Sequence, residues 1–218
     1  MKTKLSMALL TSSLLALSAA AQANVSVNIG AINVNPDNTH SAINENSALG
    51  LNPNSNTQLG ISVDYAFNQQ WFLQLIAATP FSHDIHGAGG LAGNKIANIK
   101  HLPPSLVAQY HFLDSSSAFR PFIGVGVNYT TFFDEQPSQA LKTVLGTADV
   151  EVKLEDSFGF VAQLGANYKI AEKWGLHAMV SVMDIETDST VYADGAQALT
   201  SSVKIDPVVA MFAVKYHF

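Results

Sequence analysis

The chain has no cysteine, few basic residues and no long apolar run beyond its first segment. Without cysteine among 218 residues, disulfide bridges, thiolate metal ligands and a cysteine nucleophile are excluded. Lysine and arginine total 11 against 17 acidic residues, which argues against nucleic acid as a partner. After residue 23 no apolar run approaches the roughly 18 residues of a membrane-spanning helix. The apolar residues must therefore follow another pattern.

The first 23 residues predict a secretory signal peptide. Lys2 and Lys4 precede an apolar run from Leu5 to Leu17, and the segment ends on Ala-Gln-Ala. A membrane anchor would need roughly 20 apolar residues, and this run is shorter. We therefore expect a signal peptide over 1–23 and one mature domain over 24–218.

Eight later segments alternate with a period of two, which is typical of β-strands. In residues 57–67, TQLGISVDYAF, large apolar side chains share one face while small and polar side chains share the other. The eighth segment ends the chain on Phe218, with its other large outward side chains spaced back by twos. The eight segments begin near Val25 and at Thr57, Trp71, Ser105, Arg120, Ser157, Trp174 and Val208.

Short and long connections between these segments alternate. Short polar turns follow the second, fourth and sixth segments, and stretches of about 15 to 20 residues follow the first, third, fifth and seventh. Aromatic residues gather at the short-turn ends, as in an interfacial girdle: Tyr65, Phe67, Trp71, Tyr110, Phe112, Tyr168, Trp174, Tyr216 and Phe218. A soluble β-sandwich or lipocalin-like barrel is the alternative. The pattern favours an all-β fold, an eight-stranded antiparallel transmembrane β-barrel with short periplasmic turns and long extracellular loops.

Several stretches resemble the OmpW family of small outer-membrane proteins. They include LQLIAATPFSHDI, HLPPSLVAQYHF, RPFIGVGVNYTTFFD and WGLHAMVSVMDIETD with KIDPVVAMFAVKYHF. The resemblance implies an eight-stranded barrel set in the lipid of the bacterial outer membrane, a passage for small hydrophobic molecules and a hydrophobic constriction in the lumen. It also implies that the barrel-assembly machinery recognises the terminal aromatic residue, here Phe218.

The alternation divides the predicted lumen into an apolar upper part and a polar lower part. By the resemblance, Ile76 is a constricting side chain, and Ser181 stands where the family has a bulky aromatic residue. The predicted channel-lining residues are Ile76, Met179, Ser181, Met183, Val209 and Met211. The predicted polar residues of the lower lumen are Asp64, His111, Lys169 and Lys215. This division predicts an apolar recess that is closed below.

Three prolines fall in the outer half of one predicted hairpin. Pro80 follows the third strand, and Pro103 and Pro104 begin the fourth. Proline donates no hydrogen bond to a sheet and is normally excluded from sheet interiors. Either the barrel wall ends here as loop, or the wall is weakened to let a solute leave sideways into the membrane.

Two further motifs predict neither a metal site nor a dinucleotide site. His83 and His86 in HDIH lie in a predicted long loop without a third ligand, so we expect solvated histidines rather than a metal site. The string GAGGLAG at 87–93 lacks the flanking strand and helix of a dinucleotide site, and we expect a flexible loop. We expect no metal, no cofactor and no enzyme, with an outer-membrane hydrolase or acyltransferase as a minor alternative.

Two functions fit this sequence. The first is a channel for passive passage of small hydrophobic molecules, with lateral release into the membrane. The alternative is a structural, adhesive or receptor barrel whose extracellular loops bind a partner. An apolar recess open to the outside favours the first, and charged networks that fill the whole lumen favour the second.

Overall fold

The computed structural model describes residues 24–37, 42–43, 46–89 and 92–218, so the predicted signal peptide lies outside the described residues. This part of the chain contains fifteen strands and one α-helix of seven residues. No helix in the described residues is long and apolar enough to cross a membrane. The elements are β1 Val25–Asn35, β2 Ala42–Ile43, β3 Asn46–Pro53, β4 Asn56–Ala66, β5 Trp71–Ala78, β6 Phe81–Gly89, β7 Lys95–Leu102, β8 Ser105–His111, β9 Phe119–Pro137, α1 Gln139–Leu145, β10 Val150–Leu154, β11 Ser157–Lys169, β12 Trp174–Met183, β13 Glu186–Ala193, β14 Ala196–Lys204 and β15 Val208–His217.

Eight of the strands form a closed antiparallel barrel. The order is β9, β11, β12, β15, β1, β4, β5, β8 and back to β9. Closure joins the two ends of the chain, with β1 and β15 paired from Ser26↔His217 to Asn35↔Val208. These are the eight segments with a period of two, so the predicted fold is confirmed. A closed barrel leaves no unpaired strand edge among its wall strands.

The outer wall of the barrel is apolar, with aromatic rings at the short-turn end. Val125 and Phe160 in the wall are 68% and 71% exposed. At the short-turn end Trp71 meets Tyr110 and Trp174 meets Tyr216 edge to face, with ring centroids 5.2 and 4.7 Å apart. A continuous exposed apolar surface of this kind needs an apolar surrounding medium.

The described residues of the long connections are mainly strands, which the sequence analysis did not predict. They form hairpins that continue the wall upward, in the order β10, β13, β14, β2, β3, β6, β7 and the end of β9. We call this second sheet the upper extension. A connection of about 15 to 20 residues is long enough for two strands of the usual five to ten residues and a turn. Of the predicted flexible loop at 87–93, residues 87–89 belong to β6, and residues 90 and 91 lie outside the described residues.

The short helix α1 lies between β9 and β10 in the chain. These two strands end the upper extension, and their described residues do not pair with each other. The Ser138 hydroxyl caps the helix by accepting a hydrogen bond from the Leu141 amide at 3.1 Å. Gly146 ends the helix with φ of 73°, a left-handed conformation that glycine adopts without strain. Leu141 packs against Val150 and Val152 of β10. The helix thereby covers this side of the upper extension.

Candidate functional site

A cavity of about 680 Å³ lies inside the upper extension. Its wall is mainly apolar and includes Ile85, Ile99, Phe132, Val203 and Ile205. The cavity depends on the hairpins, because strands β6, β7 and β14 carry most of these side chains above the level of the eight-stranded barrel. Sequence reasoning missed this site because it assigned these segments to loops. Ile99, Val203 and Ile205 do alternate with polar neighbours, which was the available signal.

Two histidines lie in the cavity wall, and the expectation of solvated loop histidines was wrong for His83. His83 and His101 are 5% and 2% exposed, because the β6–β7 pairing turns both side chains inward. Their Nε2 atoms are 2.9 Å apart, and His83 Nδ1 lies 2.5 Å from the carbonyl oxygen of Asn54. His86 of the same motif is exposed. The described residues contain no group of three or more potential metal ligands.

The histidine pair lies in the upper extension, outside the membrane-spanning strands, and burial disfavours its charged form. Burial lowers the pKa of His83 below its ordinary value. Burial, and then the nearby His83, lower the pKa of His101 to about 3. Both rings are therefore neutral at neutral pH. Phe132 stacks on His101 with ring centroids 5.8 Å apart and holds its orientation.

Below the cavity a packed group of side chains fills the lumen, and we call it the apolar layer. It contains Phe81 and five of the six predicted channel-lining residues, Ile76, Met179, Met183, Val209 and Met211. The sixth, Ser181, is also buried and is the register partner of Val209. All seven are at most 4% exposed, and none is among the described residues that line the cavity. An eight-stranded barrel has an interior just wide enough for side chains to fill. The role of the six as channel lining stays a prediction.

Beneath the apolar layer lies a buried polar network centred on Asp64. Lys215 forms an ion pair with Asp64, and both are at most 2% exposed. Asn28 and Gln74 each donate a hydrogen bond to the Asp64 carboxylate at 2.9 Å. Gln74 also belongs to a cluster of three buried glutamines, because its carbonyl accepts from the amides of Gln109 and Gln163 at 2.8 and 3.1 Å.

The remaining predicted residues of the lower lumen lie on either side of this network. His111 is buried, and its Nε2 lies 2.9 Å from the Gln109 carbonyl oxygen. Lys169 is exposed, and it borders a second cavity of about 470 Å³ at the short-turn end. The structure thus brings Asp64, His111 and Lys215 together and places Lys169 at the mouth of the lumen.

A stack of aromatic rings crosses the lumen at this level. His111 lies between Phe72 and Phe122, with ring centroids 4.0 and 5.0 Å away, and His177 continues the stack 5.5 Å beyond Phe122. The Arg120 guanidinium lies over the Phe72 ring at 5.7 Å. Sequence reasoning missed Phe72 and Phe122, although each lies an even number of residues from an inward-facing neighbour on its own strand.

The three prolines mark an interruption between β5 and β8. The pairing of these strands stops at Ile76↔Ser105, and the pairing of β6 with β7 starts at Phe81↔His101. We call the intervening residues, 77–80 and 102–104, the seam; no strand pairing across it is recorded. The wall resumes above the seam, so it does not simply end there as loop. Phe81, the first residue above the seam, is fully buried, with its ring centroid 5.5 Å from that of His101.

Comparison with known proteins identifies the family. The model of the OmpW family matches residues 21–218. Outer membrane protein W of Vibrio cholerae serotype O1 is 42% identical over 184 residues, which are 84% of this chain and 82% of that protein. The crystal structure of outer membrane protein OprG from Pseudomonas aeruginosa matches with a TM-score of 0.81 at 34% identity, covering 91% of this chain and 97% of that one.

A more distant relative is the dibenzothiophene metabolism operon protein PahQ of Pseudomonas aeruginosa. It is 27% identical over 163 residues, which are 75% of this chain and 72% of that protein. The closed barrel and its exposed apolar wall agree with the stronger matches, which confirm the resemblance seen in the sequence. The chain belongs to the OmpW family, and its barrel lies in the lipid of the bacterial outer membrane.

Proposed function

We propose that this barrel is a passive channel for small hydrophobic molecules, which enter the cavity from outside the cell and leave sideways into the membrane. The observation that carries the proposal is the apolar cavity directly above a lumen that is filled by side chains. Transfer from water into such a cavity is favourable by about 25 cal/mol per Å² of apolar surface. The cavity therefore suits capture of apolar solutes.

The lower lumen argues against passage straight through to the periplasm. A solute moving down would meet the Asp64–Lys215 ion pair and the three glutamines around it. Separating these groups without replacing their hydrogen bonds is costly, because each buried polar group would lose a partner. An apolar solute has no group that could replace them. The favourable direction from the cavity is therefore into lipid.

We propose that the solute passes into the lipid at the seam. Pro80, Pro103 and Pro104 have no backbone N–H, so separating the strands here breaks fewer hydrogen bonds than elsewhere in the wall. Phe81 packs against both cavity histidines and begins the wall just above the seam. A change of its rotamer would open a connection between the cavity and the seam. We propose that Ile76 and the methionines of the apolar layer border this route, since methionine adapts to varied shapes.

The name of the distant relative PahQ is consistent with this class of solute. Its name refers to dibenzothiophene, a fused aromatic compound without charge. A cavity of about 680 Å³ with a mainly apolar wall is large enough for solutes of this kind. We therefore propose uncharged apolar molecules, including aromatic ones, as the solutes.

Capture can be tested by placing a charge on the cavity wall. Leu199 lines the cavity and is partly exposed, so Leu199→Glu should leave the barrel folded while the carboxylate makes the wall less apolar. We expect uptake of a hydrophobic fluorescent dye into proteoliposomes to fall by about fivefold or more, since even one lost kcal/mol of binding is a factor of about five. Ala198→Glu, an exposed neighbouring position that does not line the cavity, is the matched control. Equal uptake by both variants would contradict capture at this cavity.

The terminal residue offers a separate test of assembly. Phe218 is 51% exposed, and its ring packs edge to face on Tyr216 at 5.1 Å. If the barrel-assembly machinery binds this aromatic end, deleting Phe218 should reduce the heat-modifiable folded protein in outer-membrane fractions several-fold. Phe67→Ala, which removes a ring that is 63% exposed at the same end of the barrel, should have a smaller effect. Normal levels of the truncated chain would refute a role for Phe218 in assembly.

A further inference from the structure

Among the described residues of the cavity wall, one buried side-chain atom that could form a hydrogen bond has no partner. His101 is 2% exposed, and its Nδ1 atom is buried without a hydrogen-bond partner among the described residues. Buried polar atoms are nearly always hydrogen-bonded, and an exception calls for an explanation such as a bound ligand. His101 lines the cavity, so a molecule held there lies against this ring and is the candidate partner for the atom.

The hydrogen bonds of the pair determine what this atom can do. The Asn54 carbonyl oxygen can only accept, so the facing Nδ1 of His83 carries a proton and donates. In a neutral ring His83 Nε2 is then an acceptor, and the proton between the two Nε2 atoms belongs to His101. The Nδ1 of a neutral His101 therefore carries a lone pair and no proton. It can accept a hydrogen bond but cannot donate one.

We propose that His101 Nδ1 accepts a hydrogen bond from the hydroxyl group of a bound apolar alcohol or phenol. The cavity would then hold an uncharged molecule with a large apolar body and one hydroxyl group, and would favour it over the same molecule without the hydroxyl. Phe132 and Phe81 pack against His101 and fix the direction of the acceptor. This inference rests on the proposed function only in taking the cavity as the place where the solute is captured.

Three ligands of nearly equal shape test the inference on the unmodified protein. They are 1-naphthol, which has a hydroxyl donor, 1-methylnaphthalene, which has no polar group, and 1-methoxynaphthalene, which can only accept. Binding is measured by NMR titration of the Ile99 and Ile205 methyl groups, which line the cavity, with the protein in lipid nanodiscs. One added neutral hydrogen bond should make 1-naphthol bind about three- to tenfold more tightly than either of the others.

Variants then assign the preference to His101. His101→Phe keeps an aromatic ring against Phe132 but has no acceptor, and it should reduce the ratio of the affinities for 1-naphthol and 1-methylnaphthalene to about one. His86→Phe, at the exposed histidine of β6, should keep the ratio of the unmodified protein. If the His101→Phe chain does not fold, the ligand series on the unmodified protein still decides.

Each of the other possible binding results would contradict a different part of the account. Equal binding of 1-naphthol and 1-methylnaphthalene would refute the hydroxyl preference and leave capture of apolar solutes intact. Preference for 1-methoxynaphthalene over 1-methylnaphthalene by the same factor would show that the site donates, which contradicts the proton positions assigned to the two rings. Binding of none of the three ligands would refute the cavity as a capture site, and the proposed function with it.

Discussion

Replacing Lys215 with methionine should destabilise the barrel by about 3–5 kcal/mol, because it leaves the Asp64 carboxylate buried without its partner. Asp64 and Lys215 are 1% and 2% exposed, so neither charge is screened by solvent. The hydrogen bonds from Asn28 and Gln74 remain, but they do not neutralise the charge. Equilibrium unfolding in urea with the protein in lipid vesicles measures the difference.

Two control variants separate loss of charge balance from loss of packing. The double variant Asp64→Asn with Lys215→Met removes both charges and should recover most of the lost stability. Lys153→Met breaks an exposed ion pair with Glu151, at 3.3 Å, and should change stability by less than about 1 kcal/mol. If Lys215→Met is as stable as Lys153→Met, the Asp64–Lys215 pair does not hold the lower lumen together.

Much of the barrel could be predicted from the sequence because its wall has two different sides. Where one side of a strand meets lipid and the other meets a narrow lumen, side chains must alternate between large apolar and small or polar. The inward positions of Asp64 and Lys215 and the outward position of Phe212 all followed from that period. Closure of the barrel was predicted because the last strand has a long apolar outward face, and pairing with the first strand completes the barrel wall at this position.

The upper extension could not be predicted in the same way because water lies outside it. Strand β13, with sequence ETDSTVYA, turns Thr187 and Ser189 inward, so its alternation in polarity is weak even though its alternation in burial is clear. The His83–His101 pair depends on the pairing of β6 with β7 across 17 intervening residues. The register of this pairing cannot be read from the sequence, so the sequence alone did not predict that the two histidines lie together. The cavity depends on the same pairing and was missed with it.

The largest functional effect should come from locking the seam. Ser82 and Lys100 are register partners just above it, on the outward side of β6 and β7. Partners in antiparallel strands have Cα atoms about 4.5–5.5 Å apart, within the range that a disulfide can bridge. The chain has no cysteine, so the double variant Ser82→Cys with Lys100→Cys would contain only the engineered pair. Because Phe81 adjoins Ser82, the cross-link would restrain the buried residue just above the seam.

The control cross-link joins β13 and β14, which are separated from β6 and β7 by other strands of the upper extension. Asp188 and Ser202 are exposed register partners on β13 and β14. The double variant Asp188→Cys with Ser202→Cys therefore adds a disulfide of the same kind to the same sheet. It should leave uptake unchanged in both redox states, which excludes a general effect of oxidation or of a stiffer upper extension.

The most direct test of lateral release compares hydrophobic uptake by the oxidised and reduced forms of the Ser82–Lys100 cross-linked barrel in the same proteoliposomes. Lateral release predicts that oxidation reduces uptake of the dye to the level of vesicles without protein, and that a reducing agent restores it. Binding of the dye in the cavity should survive oxidation, since the cavity lies above the seam. Uptake that is the same in the oxidised and reduced barrels would contradict release through the seam.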